Sequence, residues 1–143
     1  MSSTKFIAIL PQPTQPGDKV QINGKISDGA KEFSINFANE VNENPQSVAY
    51  QFKWDLANNV LIEDYKENDE WMNYKETQFD TLDGPEFALE FAFQDDGIYV
   101  YSVYEDGRNY ITQFQPESDF QYIESVQVWG DVEKITQLSF IYN

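Results

Sequence analysis

Apolar and polar residues alternate with a period of two along much of the chain, and this pattern decides what the chain can fold into. The alternating segments are Lys19–Ile26 and residues 33–37, 88–93, 98–104 and 110–114. A period of two places every second side chain on one face, as in a β-strand with one buried side. Helical periodicity is missing. The pattern therefore predicts antiparallel strands and essentially no helix.

Turn-forming residues separate these segments, notably Gln94-Asp95-Asp96-Gly97 and Glu105-Asp106-Gly107. Residues 11–18, rich in Gln, Pro and Asp, predict a loop that follows an N-terminal strand at a sheet edge. About ten or more short strands with evenly spaced turns predict an all-β fold, a two-sheet antiparallel β-sandwich. With 143 residues and no linker, residues 1–143 are expected to form a single domain.

The apolar faces of the predicted strands define an expected core. Its members are Phe33, Ile35, Phe37, Phe52, Trp54, Phe87, Leu89, Phe91, Tyr99 and Val128.

Composition excludes several kinds of function. Cys and His are both absent, so the chain has no disulfide, no thiol nucleophile, no His general base and no usual zinc ligand. The 25 acidic and 9 basic residues give a net charge of −16, which repels phosphate backbones and anionic lipids. We therefore expect no nucleic-acid partner, no membrane insertion, no cofactor and no metal.

The stretch from residue 50 to residue 76, YQFKWDLANNVLIEDYKENDEWMNYKE, contains the candidate site. Its first strand alternates two sets of side chains, which must point to opposite faces. The apolar set, expected to face the core, is Tyr50, Phe52 and Trp54. The polar set, expected on the opposite face, is Gln51, Lys53 and Asp55.

The layout of this stretch resembles the sugar site of the galectin family, which reads H-x-N-x-R, then V-x-N, then W-x-x-E-x-R. The corresponding slots hold Gln51, Lys53, Asp55, Ile62, Asp64, Trp71, Tyr74 and Glu76. Three further segments resemble the family: a Pro-Gly turn leading to FSINF, the region GPEFALEFAFQDDGIYVYSVYEDGRNY, and the closing VQVWGDV. From the order and spacing of these segments the chain is identified as a member of the galectin family.

The resemblance implies a jelly-roll of the galectin and concanavalin type, with sheets of five and six strands. It implies a non-enzymatic lectin that binds a glycan or glycoconjugate on the concave face, with Ile62 and Asp64 beside the polar set. It allows a homodimer paired through terminal strands near residues 6–10 and 138–142. The start, MSSTKFIAILPQ, has no basic leader before a long apolar core, so we expect cytoplasmic synthesis and, as in the family, export by a non-classical route to the extracellular space.

The polar slots differ from the family pattern in their chemistry. In the family, His, Asn and two Arg donate hydrogen bonds to galactose, and a Glu orients the arginines. Asp55 and Glu76 replace both arginines with groups that only accept, and Lys53 cannot copy a planar donor. We therefore expect weak or no β-galactoside affinity. Trp71 is the one site residue retained in kind, as a surface on which a sugar can stack.

Two hypotheses remain for this groove. In the first, the changed residues around Trp71 bind another glycan. In the second, sugar binding has been lost, and the fold acts through contacts with a protein partner.

An enzyme or a metal site is not expected. Jelly-roll glucanases place E-x-D-x-x-E on one strand, but the nearest match, residues 67–72, has Met72 at the position of the catalytic acid. A calcium loop has the pattern D-x-D-x-D-G. This pattern is absent from the acidic stretch that contains Glu63, Asp64, Glu67, Asp69 and Glu70.

Overall fold

The computed structural model describes residues 3–79 and 84–143, and within them it contains twelve strands and one turn of 3₁₀-helix at Phe120–Tyr122. The first six strands are β1 (Thr4–Ile9), β2 (Lys19–Ile26), β3 (Glu32–Ala38), β4 (Val48–Asp55), β5 (Val60–Glu67) and β6 (Glu70–Trp71). The others are β7 (Lys75–Gln78), β8 (Glu86–Gln94), β9 (Gly97–Tyr104), β10 (Gly107–Phe114), β11 (Ser125–Gly130) and β12 (Val132–Ile141). The same ranges contain no helix that is long and apolar enough to span a bilayer.

The strands form two antiparallel sheets. The larger sheet has the order β1-β11-β3-β4-β5-β6, and β7 also pairs with β5. The smaller sheet has the order β10-β9-β8-β2-β12. The predicted sheets of five and six strands are thus present, except that the sixth position of the larger sheet is shared by two short strands, β6 and β7. This confirms the predicted two-sheet sandwich.

The core lies between the inner faces of the two sheets. Rings from opposite sheets meet there: Phe33 stacks on Phe87 at a centroid distance of 4.7 Å, and Phe37 meets Phe91 edge-on at 4.9 Å. Nine of the ten residues that the sequence predicts for the core are buried. They are Phe33, Ile35, Phe37, Phe52, Trp54, Phe87, Leu89, Phe91 and Val128.

The tenth, Tyr99, was assigned to the wrong face of its strand. Ile98 and Val100 are the fully buried residues of β9, whereas Tyr99 is only partly buried, and its hydroxyl donates to Asp96 at 2.8 Å. In β9 nearly every residue is apolar or aromatic, so alternation alone does not define an inner face. The pairing with β8 sets the face instead, because Ile98 and Val100 lie opposite the buried Phe93 and Phe91.

A buried carboxylate joins the two sheets. Glu63 of β5 is fully buried and accepts hydrogen bonds from the Tyr50 hydroxyl at 2.6 Å and from the Thr112 hydroxyl of β10 at 2.9 Å. The Lys75 ammonium lies 3.7 Å away. Burial, followed by the negative charge of Glu63, raises the pKa of Tyr50 well above its usual value, so this hydroxyl stays a donor at neutral pH.

Candidate functional site

The two faces of β4 carry the two sets of side chains that the alternation predicts. Tyr50, Phe52 and Trp54 point into the core, and each is no more than 2% exposed. Gln51, Lys53 and Asp55 therefore lie on the outer face of the larger sheet, since successive side chains of a strand alternate.

Strand register places three more of the predicted site residues on this outer face. Gln51 lies directly opposite Asp64, and Lys53 lies opposite Ile62. On the other side of β5, Ile62 lies opposite Glu76 of β7. Residues that are directly opposite across a strand pair share a face. Lys53, Ile62 and Glu76 thus form one row across three strands, and the cross-strand arrangement implied by the galectin resemblance is present.

Trp71 lies at the far end of the same face. It is opposite Lys66 in the pairing of β5 with β6, and the Lys66 ammonium is 5.4 Å from the centroid of its ring. The indole is 42% exposed. Ile62 and Lys66 are four residues apart on β5, so Glu76 and Trp71 mark the ends of a strip about 13 Å long.

Polar side chains, most of them amides, occupy the middle of this face, and they form hydrogen bonds with one another. The Gln51 amide donates to the Asn36 oxygen at 3.0 Å, and the Asn36 amide donates to the Ser34 hydroxyl at 2.9 Å. On β11, the Trp129 indole N–H donates to the Gln127 oxygen at 3.0 Å. Asn36 and Gln127 are fully buried. We call this set of five residues the amide network.

Sequence reasoning did not assign the β3 and β11 members of the amide network to the site. The alternation did contain a signal, because Ser34 and Asn36 are the polar residues between Phe33, Ile35 and Phe37 on β3. Their positions on the outer face follow from the same parity that places Gln51.

The loop of residues 39–47 borders one end of the face. Glu40 holds the loop in shape, since one of its carboxylate oxygens accepts from the main-chain N–H groups of Gln46 and Ser47, each at 2.8 Å. The Gln127 amide donates to the Asn42 carbonyl at 2.9 Å, and Lys66 donates to the Pro45 carbonyl at 3.1 Å. The loop therefore reaches from β11 to β5 and forms a wall near Trp71.

The charged residues in the middle of the face have protein partners. The Lys53 ammonium lies 2.9 Å from a carboxylate oxygen of Glu32. Asp55 accepts from the main-chain N–H of Asn58 at 3.2 Å and from its amide at 2.9 Å. The positive charge of Lys53 is thus largely balanced within the protein.

Asp64 has a structural contact that its sequence position did not reveal. One of its carboxylate oxygens accepts from the main-chain N–H groups of Tyr65 and Asn73, each at 2.8 Å, and the residue is 3% exposed. The contact to Asn73 fixes the irregular residues between β6 and β7.

The pKa of the neighbouring Tyr65 is raised. Partial desolvation is the main cause, followed by the negative charges of Glu117, Glu67 and Asp64.

Tyr74 and Glu76, the last two predicted site residues, are exposed, and Tyr74 is 62% exposed. Neither side chain makes a hydrogen bond or an ion pair with the described part of the chain. Both are therefore available to a ligand that reaches the outer edge of the sheet.

The acidic residues of this region do not converge on one point. Glu63 points into the sandwich, whereas Asp64 points to the outer face. Within residues 3–79 and 84–143, no group of three or more acidic side chains is arranged to hold a metal ion.

Comparison with known proteins agrees with this geometry. The family model described as "Galactoside-binding lectin" matches residues 5–140. The chain belongs to this family, the galectins. The galectins are lectins, proteins that bind glycans, rather than enzymes. No curated protein sequence matches the chain.

Solved galectin structures share the whole fold at low sequence identity. A variant of human galectin-16 superposes with a TM-score of 0.80 and 19% identity, and all of both chains is covered. Chicken galectin 2 gives 0.80 and 19%, covering 96% of this chain and 99% of that one. Sheep galectin-11, solved in complex with glycerol, gives 0.79 and 14%, covering 95% and 96%. At these identities the likeness shows the fold alone.

Proposed function

We propose that this galectin domain binds a glycan in the groove around Trp71 and has weak or no affinity for β-galactosides. The observation that supports this most directly is the placement of an exposed indole on the outer face of the larger sheet. Sugars present a face of C–H groups, and a flat aromatic ring can bury that face. Tyr74 and Glu76 lie next along the edge and can supply a hydroxyl and a carboxylate to sugar hydroxyls.

The surroundings of Trp71 favour a preorganised platform. The Lys66 ammonium lies near the ring and is held by the Pro45 carbonyl and by Asp69, whose carboxylate is 3.3 Å away. A ring that is already restrained loses less conformational entropy when a ligand stacks on it.

Low affinity for β-galactosides follows from the donors that the groove lacks. The two slots that hold arginine in the family hold Asp55 and Glu76, which only accept hydrogen bonds at neutral pH. Lys53 is paired with Glu32, and the Gln51 amide donates to Asn36. A site that loses donors to a hydroxyl loses on the order of a few kcal/mol of binding free energy.

A glycan array tests the positive part of the proposal. Wild-type protein should bind a defined set of glycans, and Trp71→Ala should abolish that binding with almost no change in melting temperature. Tyr142→Ala is the matched control, because Tyr142 is 38% exposed and follows β12 at the edge of the smaller sheet. This control should bind as wild type does. Equal loss in both variants would contradict a specific role for Trp71.

A lactose-agarose column tests the negative part. The domain should pass through without retention, and calorimetry with lactose should give little or no heat. Retention that free lactose reverses would show that Gln51 and Lys53 suffice as donors.

The alternative is a galectin fold that has lost sugar binding and contacts a protein. It is favoured by the continuous exposure of Trp71, Met72 and Tyr74, which are 42%, 47% and 62% exposed. An exposed apolar strip can mark an interaction surface. A wild-type domain that binds no glycan on the array would favour this function.

A further inference from the structure

The chain at the edge of the larger sheet contains one more residue than the strand with which it pairs. Lys66 of β5 lies opposite Trp71 of β6, and Glu63 lies opposite Lys75 of β7. Two residues separate the two β5 members, but three, residues 72–74, separate their partners. One extra residue against a partner strand is the count of a β-bulge. We call residues 72–74 the edge bulge.

The edge bulge brings two of the predicted site residues onto one face. Trp71 and Glu76, five positions apart, both lie on the outer face. In a strand without the extra residue they would point to opposite faces, because a shift of one residue turns every later side chain over. The same shift turns Lys75 inward, and its ammonium lies 3.7 Å from the buried carboxylate of Glu63. The shape of the groove therefore depends on the edge bulge.

Asp64 connects the edge bulge to β5. Its Oδ1 atom accepts a hydrogen bond from the main-chain N–H of Asn73, the middle residue of the bulge, at 2.8 Å. The same oxygen accepts from the main-chain N–H of Tyr65, also at 2.8 Å. Asp64 is only 3% exposed, so water competes little for this oxygen. One carboxylate oxygen thus holds the main chain on both sides of the strand pair.

The two strands that flank the edge bulge are short and exposed. β6 has two residues, β7 has four, and all of them are exposed. Short segments with exposed backbone hydrogen bonds and little buried apolar surface open locally at a low cost in free energy. A buried carboxylate that accepts from the bulge is therefore a large part of what can fix the register at this edge.

We propose that Asp64 is a positioning residue of the glycan groove: it fixes the edge bulge, keeps Trp71 and Glu76 on one face, and does not itself touch the ligand. This inference rests on the proposed function. The slot that the galectin resemblance assigns to sugar contact acts through the main chain in this protein.

Two buried aspartates give a matched pair of variants. Asp64→Ala removes the acceptor of the edge bulge. Asp18→Ala removes a similar acceptor elsewhere, because Asp18 is 6% exposed, directly precedes β2 of the smaller sheet, and accepts from the main-chain N–H groups of Gln15 at 2.9 Å and Asn143 at 3.0 Å. On a glycan array titrated with protein, Asp64→Ala should weaken binding about tenfold, and Asp18→Ala should leave it unchanged. Equal losses in both variants would overturn the proposal.

Asp64→Asn separates positioning from direct contact. Asn keeps an oxygen that can accept from the Asn73 N–H but loses the negative charge, so binding should return to within about threefold of wild type. Binding and the hydrogen-exchange rate of the Asn73 amide should change together in this variant, and this comparison also decides the question if Asp64→Ala does not fold. Lost binding with slow exchange at Asn73 would show that the carboxylate contacts the glycan directly, and the proposal would be wrong.

Two measurements test the positioning without a glycan. In Asp64→Ala, amide exchange at Asn73 should be about tenfold faster. The Lys66 methylene resonances, which the Trp71 ring shifts because the Lys66 ammonium lies 5.4 Å from its centroid, should move towards the values of an unstructured chain. Asp18→Ala should change neither. A wild-type domain that binds no glycan would contradict the proposed function, whereas unchanged exchange and unchanged Lys66 resonances in Asp64→Ala would contradict the role of Asp64, whatever the array shows.

Discussion

The outer face of the larger sheet has two regions with opposite properties. In its middle, over β3, β4 and β11, the side chains of the amide network are bonded to one another, and all but the partly buried Trp129 are buried; Asn36 and Gln127 are fully buried. At its edge, on β6 and β7, Trp71 is exposed, and neither Tyr74 nor Glu76 has a side-chain hydrogen bond or ion pair with the described residues.

On this one surface, the residues that stabilise the fold are therefore different from the residues that are available to bind a ligand. Polar groups that satisfy one another help to hold the sheet together, and a ligand gains little by competing for them. Groups that are exposed and unpartnered can bind a ligand without first breaking a protein contact. We therefore expect substitutions in the middle to act on unfolding, and substitutions at the edge to act on glycan binding.

The largest expected effect tests the face assignment on which this comparison depends. Trp54→Ala should lower the free energy of unfolding by about 3–5 kcal/mol, because it removes a large buried ring and leaves a cavity. Urea denaturation followed by circular dichroism would measure the change. Trp71→Ala is the control and should change stability by less than about 0.5 kcal/mol.

A loss below about 1 kcal/mol for Trp54→Ala would contradict the burial of Trp54. Gln51, Lys53 and Asp55 would then face the core, and neither region of the outer face would exist as described.

The next effect tests the middle region itself. Asn36→Ala should lower the free energy of unfolding by about 1–3 kcal/mol, since it leaves the buried amide of Gln51 without its acceptor. Glycan binding should be unchanged. Tyr74→Ala at the edge should show the reverse pattern, with near-normal stability and weaker glycan binding. A stable Asn36→Ala protein with impaired binding would place the glycan in the middle of the face.

Strand parity allowed much of this arrangement to be predicted from sequence. On β4 the apolar and polar residues alternate without exception from Tyr50 to Asp55, so the inner and outer faces were assigned correctly. On β9 the residues Ile98, Tyr99 and Val100 are all apolar or aromatic, and the inner face could not be read from them. Alternation fixes a face only where the two sets of residues differ in polarity.

The hydrogen-bond partners within the site could not be predicted from sequence. Asp64 occupies a sugar-contacting slot of the family, yet one of its oxygens holds the main chain at Asn73. Lys53 was expected to face the groove, and it does, but its partner Glu32 comes from a neighbouring strand. Such pairings depend on which side chains meet across strands, and that is set by register rather than by local pattern.

The smallest expected effect tests where the boundary between the two regions lies. Lys53→Met removes the ammonium that pairs with Glu32 but keeps a long apolar side chain. The two side chains are 29% and 31% exposed, and ion pairs this close to solvent contribute only about 0–1 kcal/mol. The free energy of unfolding should therefore fall by less than about 1 kcal/mol, and the difference from wild type should shrink at high salt. Glycan binding should weaken only slightly, because the ammonium already has a partner within the protein. A loss of binding as large as that of Trp71→Ala, at unchanged stability, would show that Lys53 leaves Glu32 to contact the glycan, and the binding region would then extend from the edge into the middle of the face.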